Sequence, residues 1–147
     1  MKRLLGAFGV VLLVSGSTTL GHEGATGIVK QRMDEMEHIG RVVKRINDRL
    51  KSKRGLAEIA SDAEEIKAAA ARVPSLFPSG SRDGHTEARA AVWERWPQFV
   101  AAAQGLEQEA EKLVAAARSG QEAAIAAQFR SVTRACNECH DVFRVKR

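Results

Sequence analysis

Residues 119–144 read SGQEAAIAAQFRSVTRACNECHDVFR. Ile125, Phe129, Val132, Cys136, Cys139 and Phe143 recur at steps of four, three, four, three and four, which is the spacing of one buried face of an α-helix. Ser119 followed three residues later by Glu122 has the pattern of an N-cap with a capping box, so the helix is expected to begin there. Its far end carries Cys136-Asn137-Glu138-Cys139-His140, a C-x-x-C-H run and the attachment signature of a c-type haem. Two thiols three residues apart on a helix share one side and can add to the two vinyl groups of a porphyrin. The next residue, His140, is carried beneath the iron, where histidine is a usual axial donor. Both cysteines fall on the apolar seam, so a haem held there would be buried among helices on one side.

Three other readings of the cysteine pair are a redox dithiol, half of a zinc site, or a chance pairing. A redox C-x-x-C belongs beside a βαβ pattern, and nothing in this chain alternates like a strand. Zinc asks for four ligands, and His22, His38 and His85 show no paired ligand spacing.

The composition agrees with a helical domain of one core. The 147 residues include no tyrosine and only three prolines, and alanine is abundant. Without Lys2 and Arg3 the formal charge falls from +5 to +3, a mixed solvated exterior that points to neither nucleic acid nor a membrane surface.

Residues 1–21 have the layout of a secretory signal peptide: a basic start at Lys2 and Arg3, an apolar stretch over 4–14, and a small polar exit near Gly21. The apolar run is too short to span a bilayer, so no membrane anchor is expected. Attachment of c-type haem takes place outside the cytoplasmic membrane, so export and C-x-x-C-H support each other. A mature chain beginning at His22 would place an amine beside an imidazole, a pair able to chelate copper; a frayed terminus is the plainer reading.

Residues 22–147 are expected to form four helices. The first runs from Thr26 to about Ser52 with Ile28, Met36, Ile39, Val43, Ile46 and Leu50 in one stripe, and Arg32 shares a face with Met36. Gly55 marks the break. The second, about Leu56 to Val73, turns Leu56, Ile59, Ala63, Ile66, Ala70 and Val73 inward, and Pro74 ends it. Residues 74–86 are a long connection of turn residues in which Leu76 and Phe77 should tuck back onto the helices. The third starts between Glu87 and Ala91 and reaches about Arg118, with Trp96, Val100, Ala103, Leu106, Ala110, Leu113 and Ala117 as its stripe. Trp93 and Trp96 are expected to be core anchors, with packing of either against the porphyrin as the alternative. Short first and last connections make this an all-α, antiparallel four-helix bundle, an architecture that holds cofactors between facing helices.

A single C-x-x-C-H at the C-terminal end of a four-helix chain, in CNECHDVFR (136–144), resembles the cytochrome c′ family. Arg32 with Met36, and VPSLFP (73–78) followed by Trp93, are weaker parts of the same resemblance, which covers roughly residues 24–147. It implies a periplasmic protein, often a homodimer, with one covalent haem c. His140 would be the proximal ligand, Arg144 a basic residue near the haem edge, and Arg32 a further residue at the cofactor.

The family divides at the sixth coordination position of the iron. In one branch a methionine of the first helix ligates, and the protein carries electrons to periplasmic redox partners. In the other, the distal side chain only blocks the iron, and the protein binds NO or CO. Met36 falls at the distal position, Met33 is a weaker candidate, and a plain core methionine is the alternative. Met36-Glu37-His38-Ile39-Gly40 resembles the liganding branch, so the reading adopted from sequence is an electron carrier; a gas-binding protein with five-coordinate iron is the alternative. His38 lies about 200° round the helix from Met36 and should face solvent. No second constellation of acid, base and nucleophile appears, so enzymatic turnover is not expected.

Overall fold

A computed structural model describes residues 25–82 and 86–146. The signal peptide expected over residues 1–21, together with His22 and His85, lies outside the described residues. Four long helices dominate: α1 (Gly27–Ser52), α2 (Ile59–Arg72), α4 (Trp96–Ser119) and α5 (Glu122–Phe143). A 3₁₀ turn (Val73–Leu76) follows α2, and a one-turn helix, α3 (Ala91–Glu94), precedes α4. No described helix is long and apolar enough to cross a membrane.

Alanine decides how the bundle closes. Ala63 and Ala70 on α2, with Ala110 and Ala117 on α4, are buried in one cluster alongside Ile59, Ile66 and Leu113. Such small side chains let α2 and α4 run close together, and this is the most intimate pair of the bundle. The opposite seam, between α1 and α5, is the sparsest of the four. The core divides accordingly. One cluster holds Val42, Ile46, Ile125, Phe129 and Val132 with the residues just named. The other gathers Ile39, Ala69, Val73, Phe77, Val92, Phe99, Ala103 and Phe143 around rings in edge contact, Phe99 lying 4.8 Å from Phe77 and 5.3 Å from Phe143.

Several local expectations are corrected. Ser119 is the last residue of α4, its hydroxyl donates to Ala116 O, and Gln121 is the N-cap of α5 with no side-chain cap; the capping box is not formed. Gly120, at φ 70°, takes the left-handed turn that ends α4, a conformation open to glycine at little cost, and this keeps Ser119 inside the helix. The third helix is broken at Arg95 (φ −122°, ψ 44°). Pro97 has no N–H to return and its ring excludes a preceding helical turn, so it sits in the first turn of α4. The break swings Trp96 outward, where it is 37% exposed, and Phe99 takes the inward place. The buried face of α1 is wider than its stripe suggested: Val29, Arg32 and Val42 are buried, because α2 and the 74–86 connection cover the helix from two sides.

One buried carboxylate ties α1 to α2. Asp62, only 3% exposed, accepts from Arg45 Nε at 2.8 Å and Arg49 Nε at 2.9 Å. Asp62→Ala would leave two guanidinium groups without this partner, and it is expected to cost about 2 kcal/mol in urea denaturation of the haem-loaded protein. A loss below about 0.5 kcal/mol, the scale of an ordinary surface change, would show that both arginines rehydrate freely.

Candidate haem site

The last two turns of α5 carry Cys136, Cys139 and His140, and Arg144 follows as its C-cap. Cys136 and Cys139 are free, half-buried thiols on one side of the helix. Cys136 packs on the first core cluster and Cys139 on the second, so the pair straddles the junction between them. Burial pushes the Cys136 thiol up, and burial with the neighbouring Cys136 pushes Cys139 up to about 11. A working redox dithiol needs a depressed pKa, and burial shifts both of these thiols the other way. A thioether carries no charge, so this setting suits cysteines bonded through carbon. Among the described residues no group of three or more His, Cys, Asp or Glu side chains is placed to hold a metal ion.

His140 follows Cys139 and turns outward into an open groove of about 360 Å³ that it lines with Asp141, Arg144, Val145 and Lys146. Although exposed, its ring has a lowered pKa. Desolvation by crowding neighbours is the larger cause and the Arg144 charge the next, with Asp141 and Glu87 pulling the other way. A lowered pKa favours the neutral imidazole, the form that donates a lone pair to a metal.

Met36 is half-buried on α1 and packs on the same cluster as Cys139, so α1 presents its thioether at the cysteine end of the bundle. Met33 is half-buried one turn earlier. His38 is partly exposed, its Nε2 3.5 Å from the Glu65 carboxylate. The thin α1–α5 seam, two free thiols and a neutral imidazole fit a flat cofactor wedged beside α5.

Arg32, expected at the cofactor, sits on α1 one turn before Met36. It is 4% exposed, and its guanidinium lies 4.1 Å from the Phe77 ring. It donates to Leu76 O at 3.0 Å, Ser81 Oγ at 2.8 Å and Thr86 Oγ1 at 3.0 Å. These bonds tie the long connection to α1. Arg144 pairs with Glu87 through Nε at 2.8 Å. Glu87 and Arg89 were missed from sequence: they meet α5 through a single isolated bridge, Ala88 to Arg144, and so short a pairing leaves no alternating pattern to read.

A helical bundle with paired cysteines and an adjacent histidine at one helix end is the class of the c-type haem proteins. The sequence profile of the cytochrome c′ family matches residues 27–144, and the chain belongs to that family. Cytochrome c-554 of Cereibacter sphaeroides is 37% identical over 95 residues, which cover 61% of this chain and 61% of that protein, less than two thirds of its length. Cytochrome c′ of Rhodopseudomonas palustris is 30% identical over 154 aligned positions, covering 95% of this chain and 93% of the relative. Among solved structures, a nitric oxide complex of a cytochrome c prime variant from Alcaligenes xylosoxidans superposes with a TM-score of 0.73 at 27% identity, covering 81% of this chain and 94% of that one. The protein is therefore a c-type cytochrome with one covalent haem c.

Proposed function

We propose that this cytochrome is exported to the periplasm, residues 1–21 being removed, and that it binds nitric oxide or carbon monoxide. The haem would hang from Cys136 and Cys139, with His140 as its proximal ligand and Met36 over the opposite face. When bound, the haem supplies an iron able to take a diatomic ligand; the chain supplies the shape and polarity of the space beside it. The observation that carries the reading is that Met36 packs on a cluster of apolar side chains that includes Ile39, Ala69, Val73 and Phe77, while the buried guanidinium of Arg32, one turn away on α1, is engaged by Leu76 O, Ser81 and Thr86. Distal polarity and donors govern whether oxygen is bound and activated; an apolar space suits small neutral gases and a binding role rather than turnover. The nitric oxide complex of the Alcaligenes relative supports the same reading.

A second reading is the electron carrier expected from sequence, with the Met36 sulfur as sixth ligand. The observation in its favour is that Met36 and Cys139 share one cluster. A Met/His pair would raise the haem potential, and the partners would then be periplasmic redox proteins. Adding carbon monoxide to the ferrous protein separates the two. Immediate binding supports the gas-binding reading, and refusal supports ligation by Met36. Assembly as a homodimer is compatible with either.

A further inference from the structure

The end of α5 is held by a segment that the haem motif does not include. A helix leaves its last four carbonyls without partners inside the helix. Here His140 O accepts from Arg144 N–H at 3.1 Å, and Phe143 O accepts from Arg89 N–H at 2.8 Å. Asp141 O and Val142 O both accept from Arg89 Nη1, at 3.4 and 3.1 Å. Arg89 thus satisfies three of the four carbonyls in the turn that carries His140. Val145 N–H donates to Glu87 O at 2.8 Å, and the Glu87 carboxylate holds Arg144. The other end of this strap is tied to α1: Thr86 Oγ1 accepts from Arg32 Nη1 and from Ala88 N–H. Arg32 is one turn from Met36, so residues 86–89 join the helix on one face of the proposed haem to the helix end on the other.

We infer that Glu87 and Arg89 are positioning residues for the proximal ligand: Arg89 fixes the last turn of α5, and with it His140, while Glu87 holds Arg144 beside that histidine and offsets its charge. This rests on His140 being the proximal ligand. Neither side chain touches the iron; each acts through α5. The arrangement also explains why the long connection returns to the bundle immediately before α3 instead of ending in solvent.

The haem-loaded protein tests this with Glu87→Gln, Arg89→Ala and Arg89→Lys. Glu87→Gln removes a negative charge and leaves Arg144 uncompensated, which favours the reduced haem. The ratio of reduced to oxidised protein at fixed potential should rise roughly fivefold, the scale of one unit charge acting over several ångströms in a partly solvated medium. Arg89→Ala should speed hydrogen exchange at the Arg144 and Val145 amides about tenfold and alter the axial-ligand spectrum, with Arg89→Lys restoring both in part. If the glutamine and alanine variants only melt earlier, with potential and axial spectrum as in wild type, the strap is structural and the inference is wrong. His140→Ala tells that failure from a mistaken ligand. An unchanged spectrum there removes the ligand assignment, and the inference falls with it; a changed spectrum beside unchanged strap variants overturns the inference alone.

Discussion

Changing Cys136 and Cys139 together to alanine is expected to give a chain that carries no covalent haem and folds poorly. Cys136 packs on one core cluster and Cys139 on the other, so the pair stands at their junction near the end of α5, and the α1–α5 seam is the sparsest of the bundle. A haem there would contribute much of the apolar surface that α1 and α5 do not offer each other. Losing it opens a cavity far larger than a single Leu→Ala change, for which the cost already reaches about 3–5 kcal/mol. Acid-acetone extraction should remove all colour from the double variant and none from wild type. Circular dichroism should show a broad thermal transition with reduced helicity. A double variant that melts cooperatively with full helicity would show that α2 and α4, packed through their alanines, suffice to hold the bundle.

The other large effect is expected at Met36. Its side chain is half-buried and packs on the same apolar cluster as Cys139; in the proposed arrangement it would restrict entry to the sixth position of the iron. Under the gas-binding reading, Met36→Ala leaves the spin state as it is and speeds carbon monoxide association by about tenfold, equivalent to removing ~1.4 kcal/mol of steric barrier. Flash photolysis measures the rate. Under the carrier reading the same substitution turns a low-spin, gas-refusing protein into a high-spin one that binds. An association rate equal to wild type would place Met36 away from the ligand path altogether.

Much of this was legible in the sequence, because the relevant signals are local and periodic. The α5 stripe places Ile125, Phe129, Val132 and Phe143 in the core, and all four are buried. C-x-x-C-H needs five consecutive residues, so its chemistry is readable without any tertiary information. What escaped was either decided by a neighbouring backbone turn or depends on contacts distant in sequence. Phe99 rather than Trp96 faces inward because Arg95 leaves the helical region ahead of Pro97. The Ser119 and Glu122 pattern fits a capping box, yet Gly120 claims the turn between the helices. Arg32 shares a face with Met36 as expected, and its burial follows from a loop about fifty residues away whose Ser81 and Thr86 receive its hydrogen bonds. The capping of α5 by Arg89, 51 residues before His140 in the chain, has no local signature at all.

The measurement that bears most directly on the proposed function is the absorption spectrum of the wild-type ferrous protein, recorded before and after carbon monoxide is added. With His140 as the single axial ligand and Met36 only crowding the opposite face, the ferrous spectrum is high-spin, and it converts fully to the carbon monoxide form on mixing. A ferrous spectrum that is already low-spin, and that carbon monoxide leaves unchanged, would contradict the account and establish an occupied sixth position.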